Sequence, residues 1–311
     1  MSTSFQTTTG LASPSGAALR LYSTHPSGKV RGVVQVNHGL AEHAARYGRF
    51  AAFLAAQGWH VYAHDHRGHG ATRAPDAPAR MFAAEHGADK VLADVAAVHA
   101  HIAERHPGLP VILFGHSMGG LIALNFLLRH RPSIAGAAIW NANFSAGLLG
   151  KLGQAILWWE KLRLGSDVPS RILPKLTFAD WAKKVPGART PFDWLSRDPA
   201  EVDAYIADPL CGWDATVSMW RDVFDFIFYG ADDANFGNIQ KSLPVHLQGG
   251  EHDPATNGGK AVQDLANRMR AMGFSNVTLS ILAQTRHESL NEVNRDAIMA
   301  DFAHWAERAA G

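Results

Sequence analysis

One stretch of the chain, LPVILFGHSMGGLIALNFLLRH, restricts the possible folds more than any other. Its apolar run from Val111 to Phe114 predicts a buried strand, and a helical pattern from Leu121 to His130 follows after only a glycine-rich turn. A strand that passes directly into a helix is typical of a parallel sheet covered by helices. The turn itself, GHSMG from Gly115 to Gly119, holds a serine between two glycines.

The same alternation of strands and helices continues along the chain. After an N-terminal hairpin, Phe5 to Tyr22, the further strand candidates are VRGVVQVNH, WHVYAHD, IAGAAIW, LPVHLQGG and VTLSILA. The alternation stops over residues 142–237, where strand patterns vanish and six of the nine tryptophans occur. We therefore predict an α/β core, a mostly parallel sheet flanked by helices, from residues 1–141 and 238–311, with a helical cap inserted at 142–237.

Composition excludes several kinds of partner. The formal net charge is only +1 and no basic stripe occurs, so nucleic acid is not an expected ligand. A single cysteine, Cys211, excludes an internal disulfide and a cysteine-based metal cluster. The start MSTSFQTTTG lacks the order of a signal peptide, and no apolar run approaches the roughly 18–20 residues that span a bilayer. We expect a cytoplasmic protein.

The serine in the glycine-rich turn, Ser117, is a candidate nucleophile. A serine hydroxyl needs a general base to attack a carbonyl, and the base needs an acid to orient it. In strand-turn-helix hydrolases the chain order is serine, acid, histidine, with the last two on loops after later strands. Asp253 follows LPVHLQGG and His287 follows VTLSILA. These positions predict a triad of Ser117, Asp253 and His287.

Other residues compete for the roles of acid and base. Glu251 is two residues nearer the strand than Asp253 and stays open as the acid. Asp232 and Asp233 precede that strand, which places them poorly. His252 comes before the candidate acid and leaves no later carboxylate at a strand end.

Two motifs suggest a metal site at first sight. YAHDHRGHG places His64, His66 and His69 with the spacing of the H-x-H-x-D-H run of metallo-β-lactamase-like hydrolases, but Gly68 stands where that run needs aspartate. HESLN resembles the zinc motif H-E-x-x-H, but Asn291 replaces the second histidine. We therefore predict neither a metal ion nor a cofactor.

NHGLAEHAARYGRFAAFLAAQGWHVYAHDHRGHGATR, together with GHSMGG, resembles the monoacylglycerol lipase and lysophospholipase family of serine α/β-hydrolases. The family pattern H-G-x-x-E-H-x-x-R-Y is met from His38 to Tyr47, and H-D-H-x-G-H-G from His64 to Gly70. LSRDPAEVDAYIADPL and RHESLNE also look like bacterial members. The resemblance implies the α/β-hydrolase fold, and it implies that the histidines of AHDHRGHG make hydrogen bonds within a turn.

The resemblance also implies an oxyanion hole formed by the backbone amides of Leu40 and Met118. Each such donor lowers the barrier to acyl transfer by roughly 3 kcal/mol in comparable enzymes. The implied activity is hydrolysis of monoacylglycerol, lysophospholipid or a similar small ester with one acyl chain. The alternatives are an aminopeptidase or a thioesterase with the same triad, or a ligand-binding protein on a hydrolase scaffold. The oligomeric state is left open.

The segment GLLGKLGQAILWWEKLRL predicts an amphipathic helix in the cap. Its apolar stripe consists of Leu148, Leu152, Ile156, Trp159 and Leu162. One interpretation is that this stripe packs on the core. The other is that it faces an acyl chain or a membrane surface, with Lys151, Lys161 and Arg163 on the polar side.

Overall fold

The computed structural model describes residues 5–145 and 147–311. Eight strands form one sheet in the order β1-β2-β4-β3-β5-β6-β7-β8. They are β1 (Thr7–Ala12), β2 (Ala18–Thr24), β3 (Gly32–Asn37), β4 (Trp59–His64), β5 (Val111–His116), β6 (Gly136–Trp140), β7 (Val245–Gly250) and β8 (Val277–Leu282). The pairs β1–β2 and β2–β4 are antiparallel, and the other pairs are parallel. The predicted hairpin and strands are all present, and the predicted fold class is confirmed.

Helices separate and cover the strands. They are α1 (Gly48–Ala56), α2 (Gly87–Arg105), α3 (Met118–His130), α4 (Leu148–Leu164), α5 (Leu173–Leu176), α6 (Phe178–Lys183), α7 (Pro199–Ala207), α8 (Val217–Ala231), α9 (Lys260–Ala271) and α10 (Arg295–Ala310). Helices α4 to α8 all lie between β6 and β7. Among the described residues, every helix is too short or too polar to traverse a lipid bilayer.

The central strands are buried on both faces. Every residue of β3, β5, β6 and β7 is buried, as their apolar composition predicts for parallel strands between two helical layers. On one face α1 and α10 pack through Phe50 and Phe302 against Phe114. On the other face α2, α3, α8 and α9 form the larger part of the core.

Helix α4 buries a different face from the predicted stripe. Gly153, Leu157 and Glu160 are buried, whereas Leu152 and Leu162 are 54% and 67% exposed. The physical reason is local: a Cβ at position 153 would meet the ring of Phe224 in α8 at 2.6 Å, so only glycine permits this close approach. Glu160 is held inside by hydrogen bonds from the Ser170 hydroxyl (2.6 Å) and the Arg171 amide (2.9 Å). The side chain of Leu148 lies outside the described part of the chain.

The sheet brings four loops to one edge. Parallel strands end at the same edge, where open α/β sheets bind their ligands. The loops after β3, β5, β7 and β8 carry Leu40, Ser117, Asp253 and His287. The fold therefore collects the predicted site residues from four distant parts of the sequence.

Candidate active site

Ser117 lies in a strained turn between β5 and α3. Its φ is 54° and its ψ is −121°, a conformation that costs a non-glycine residue about 1–3 kcal/mol. The neighbouring glycines make this turn possible, because a Cβ at Gly115 would collide with the carbonyl oxygen of Gly119, and one at Gly119 with that of Asn37. The Ser117 amide donates to the Trp140 carbonyl oxygen at 2.9 Å. This turn conformation places Ser117 at the edge of the sheet.

The structure brings Ser117, His287 and Asp253 into one hydrogen-bonded row. His287 Nε2 lies 3.0 Å from Ser117 Oγ, and His287 Nδ1 lies 3.0 Å from Asp253 Oδ1. The other carboxylate oxygen of Asp253 accepts hydrogen bonds from Asn141 Nδ2 (3.0 Å) and Thr256 Oγ1 (2.8 Å). This is the geometry in which a histidine can remove the proton of a serine hydroxyl.

The charges of the row favour an ionised acid beside a basic histidine. Burial alone raises the pKa of Asp253, but the charge of His287 and hydrogen bonds from His287, Asn141 and Thr256 outweigh it, so this pKa is below its ordinary value. Burial lowers the pKa of His287, but the charge and hydrogen bond of Asp253 raise it above its ordinary value. The histidine is therefore a stronger base than a free imidazole.

The competing acids and base lie elsewhere. Glu251 is exposed and accepts a hydrogen bond from the Gln284 amide at 2.9 Å, and His252 is exposed. Asp232 accepts from the Ala234 amide, and Asp233 pairs with Arg268. Among the described contacts, these side chains make none with His287.

Leu40 and Met118 line the same cavity as Ser117. Within the described part of the chain, neither amide donates to a backbone carbonyl. The loop that carries Leu40 is held on both sides: Gly39 donates its amide to Glu42 Oε1 at 2.5 Å, and the Ala41 carbonyl accepts from the Tyr205 hydroxyl at 3.0 Å. This loop therefore has a fixed position beside Ser117, and the amides of Leu40 and Met118 have no backbone acceptor among the described residues.

A buried ionic network, to which the sequence analysis assigned no role, connects this loop to the histidine. Arg46 Nη1 lies 2.6 Å from Glu42 Oε2 and 2.6 Å from Glu288 Oε1, and the Tyr47 hydroxyl donates to Glu42 Oε1 at 2.8 Å. Burial raises the pKa of Glu288, but the charge of Arg46 and its hydrogen bonds lower that pKa to about 2. The H-G-x-x-E-H-x-x-R-Y motif includes Glu42, Arg46 and Tyr47, but the contact with Glu288 requires the fold.

The histidines of YAHDHRGHG do not act as expected. His64 and His66 are buried, and neither ring has a hydrogen-bond partner among the described residues; only His69 Nδ1 lies near an acceptor, the Arg67 carbonyl at 3.2 Å. The predicted hydrogen bonds of the His64 and His66 rings are therefore not made to protein atoms of the described residues. They pack against each other instead, with ring centroids 4.7 Å apart. Asp65 holds the turn through the Ala44 and Ala71 amides, at 2.9 and 2.8 Å.

A cavity of about 430 Å³ opens onto the serine. Its wall is mostly apolar and comes from both the sheet edge and the helices between β6 and β7. Residues of this wall include Leu121, Ile156, Leu173, Phe178, Trp181, Trp194, Trp220, Val223, Phe224 and Ile227. The rings of Trp194 and Trp181 lie 5.0 and 6.4 Å from that of His287, so they shield the histidine from bulk water. The arrangement suits an apolar ligand with one polar end beside Ser117.

A family model described as serine aminopeptidase, S33, matches residues 28–294. The chain is 34% identical over 185 residues to the monoacylglycerol lipase of Mycolicibacterium smegmatis. The matched region covers 60% of this chain and 58% of that protein. It is 31% identical over 189 residues to the human monoglyceride lipase, with 60% and 54% covered. The chain thus spans little more than half the length of these curated relatives.

Solved structures with the same fold extend over nearly the whole chain. A thermostable carboxyl esterase from Bacillus coagulans has a TM-score of 0.86 at 21% identity and covers 98% of this chain and 99% of its own. A lipase in its open form has a TM-score of 0.84 at 25% identity, with the same coverage.

Proposed function

The chain belongs to the serine aminopeptidase S33 family of α/β-hydrolases, within the group that contains the monoacylglycerol lipases, and from this premise we propose that it is a metal-independent serine carboxylic-ester hydrolase. The substrate class that we propose is monoacylglycerol, lysophospholipid or a similar ester with a single acyl chain. One observation carries the proposal: the row of Ser117, His287 and Asp253 faces a cavity with an apolar wall.

In the proposed reaction His287 Nε2 removes the proton of Ser117 as Oγ attacks the ester carbonyl carbon. The amides of Leu40 and Met118 stabilise the resulting oxyanion. The protonated His287 then donates its proton to the leaving alcohol, which departs and leaves an acyl-enzyme. Water, deprotonated by the same histidine, releases the acid and restores Ser117. Asp253 holds His287 in the required tautomer throughout.

The apolar wall of the cavity favours a substrate whose acyl chain binds there. The cavity volume of about 430 Å³ is within the range of small-molecule sites, roughly 300–1,000 Å³. Residues of α4, α6 and α8, among them Ile156, Trp181 and Phe224, supply much of this wall. We therefore assign the acyl pocket to the interface between the core, residues 1–141 and 238–311, and a cap formed by residues 142–237.

An aminopeptidase is the second candidate, because the matching family model carries that description. Such an enzyme needs a free carboxylate to hold the ammonium group of its substrate. Three cap carboxylates have other partners: Glu160 binds Ser170, Asp180 binds Lys184, and Glu201 binds Arg49. Of the described carboxylates at the cavity, Glu42 and Glu288 both pair with Arg46. These pairings favour the esterase.

A series of p-nitrophenyl esters from acetate to palmitate, assayed with EDTA beside amino-acid p-nitroanilides, tests this proposal. We expect metal-free ester hydrolysis with a maximum at medium or long acyl chains. A maximum at acetate would show that the wall excludes acyl chains. Turnover of the anilides alone would establish the aminopeptidase, and no turnover of either would favour a binding protein on this scaffold.

The cap also offers a surface for lipid contact, which we propose brings the enzyme to its substrate. Trp158, Leu162 and Leu176 are 62%, 67% and 55% exposed on α4 and α5, and Arg163 lies over the ring of Trp159 at 5.2 Å. Exposed aromatic and aliphatic side chains beside basic ones are typical of helices that lie on membranes. Co-sedimentation with anionic vesicles should fall when Trp158 and Leu162 are replaced by serine, and equal binding of both proteins would refute this surface.

A further inference from the structure

Three histidines converge at the edge of the sheet opposite Ser117. His25 follows β2, His60 lies near the start of β4, and His106 directly follows α2. One ring nitrogen of each lies within 4.8 Å of the other two. Strands β3, β4 and β5 are parallel, and Ser117 follows the carboxyl end of β5, so the amino end of β4 is remote from the proposed catalytic centre.

We propose that His25, His60 and His106 form a binding site for a divalent cation of the zinc class. In a tetrahedral zinc site with bonds of about 2.0–2.1 Å, neighbouring nitrogens are roughly 3.3 Å apart. His25 Nδ1 and His60 Nδ1 are 2.8 Å apart, and the group as a whole lies within 4.8 Å. Side-chain rotations alone can therefore bring three nitrogens to bonding distance from one ion.

Neighbouring residues orient two of the three histidines. The Tyr62 oxygen lies 2.8 Å from His106 Nε2 and holds this ring in place. A hydrogen bond to the second ring nitrogen is the usual way in which proteins orient a histidine ligand. The backbone of His25 is fixed by the Gln6 side chain, which accepts from its amide at 3.0 Å and donates to its carbonyl at 3.1 Å.

The donor set selects the kind of ion. Imidazole nitrogens without a carboxylate suit Zn²⁺, Ni²⁺ or Cu²⁺ and bind Mg²⁺ or Ca²⁺ poorly. The three side chains are half-buried, so water can complete the coordination.

Arg105 opposes the ion. It directly precedes His106 in the chain, so its positive charge lies near the proposed ion. The same charge must repel a bound cation. The ion, once bound, would connect β2, β4 and α2 and would stabilise the folded chain in proportion to its concentration.

Calorimetric titration of the metal-free protein with ZnCl₂ tests the site. We expect the protein to bind one equivalent of Zn²⁺ saturably. His60→Asn and His106→Asn should each weaken the affinity for Zn²⁺ by about tenfold or more, and Tyr62→Phe should weaken it by roughly tenfold. Arg105→Gln should strengthen binding. Excess Zn²⁺ should raise the unfolding temperature of the wild type more than that of His60→Asn.

His86→Asn is the matched control, because that side chain is 76% exposed and outside the group of three. Should His60→Asn fold poorly, His25→Asn at the end of β2 replaces it, and circular dichroism monitors the fold. Absence of saturable binding would overturn the proposal. Equal affinity and stoichiometry in the wild type and in the variants of His25, His60 and His106 would also overturn it. Retained ester hydrolysis in those variants would separate this site from the catalytic centre.

Discussion

Arg46 and Glu288 form a bidentate ion pair beside the candidate base His287. Arg46 Nη1 lies 2.6 Å from Glu288 Oε1, and Nη2 lies 2.7 Å from Oε2. Glu288 follows His287 directly, and Arg46 also binds Glu42, whose carboxylate holds the loop of Leu40. One guanidinium thus links the proposed oxyanion loop to the loop of the base.

Replacement of Arg46 by leucine should destabilise the protein strongly. It leaves Glu42 and Glu288 buried without a counter-charge, and breaking such a pair typically costs about 3–5 kcal/mol. Urea unfolding followed by circular dichroism measures the loss. Arg189→Leu is the control, because Arg189 and Asp203 are 49% and 57% exposed and such pairs contribute at most about 1 kcal/mol. Equal losses in the two variants would contradict a special role for the buried network.

Ester hydrolysis should lose activity at acidic pH as His287 becomes protonated. Only neutral His287 can accept the serine proton, and its pKa is above the ordinary value. The acid limb of kcat/KM should therefore have an apparent pKa above the ordinary value of about 6.5. The charge of Glu288 contributes to this increase, so Glu288→Gln should move the limb to lower pH. An apparent pKa of the acid limb below about 6.5 in the wild type, or one that Glu288→Gln leaves unchanged, would contradict these assignments.

Asp253→Asn should reduce kcat by roughly 10⁴-fold, because the amide favours the wrong tautomer of the histidine. Glu251→Gln should leave kcat near the wild-type value, since Glu251 is exposed and binds the Gln284 amide. Ester hydrolysis rates of the two variants decide between these acids. The reverse ranking would make Glu251 the acid.

Asp222 should make stability depend on pH. Burial, with the charge of Asp225, raises the pKa of Asp222 to about 7, against the lowering effect of a hydrogen bond from the Ala88 amide. Between its unfolded pKa of about 3.9 and its folded pKa, the folded chain holds a proton that the unfolded chain has lost, so this group lowers stability as pH rises.

Asp222→Asn should therefore gain free energy of unfolding relative to the wild type as pH rises from 5 to 8. Denaturant unfolding at each pH measures the difference. Asp264→Asn is the control, because that side chain is 49% exposed and its charge does not contribute to the pKa of Asp222. A difference between Asp222→Asn and the wild type that is constant with pH would contradict the raised pKa.

The fold and the candidate residues could be predicted because their signals are local. Apolar runs mark the parallel strands, and glycines on either side of Ser117 mark the strained turn. Asp253 and His287 are recognisable because each follows a strand, and parallel strands end at one edge. These inferences need only the order of elements along the chain.

Contacts between distant side chains could not be predicted in the same way. The pairing of Arg46 with Glu288 joins residues 242 positions apart. Hydrophobicity alone could not decide between the two interpretations of the α4 stripe, because the small size of Gly153 and the hydrogen bonds of Glu160 determine which face is buried. The rings of His64 and His66 lack a protein hydrogen-bond partner among the described residues, and His25 converges with His60. Both features likewise depend on tertiary packing.

Labelling with a fluorophosphonate, followed by intact-mass and peptide mass spectrometry, tests the role of Ser117 most directly. We expect one adduct per chain, located on Ser117, together with complete loss of ester hydrolysis. Ser117→Ala should take up no label and should lose on the order of 10⁶-fold in kcat, as in comparable triads. Labelling at another residue, or ester hydrolysis by Ser117→Ala at the wild-type rate in EDTA, would contradict Ser117 as the nucleophile.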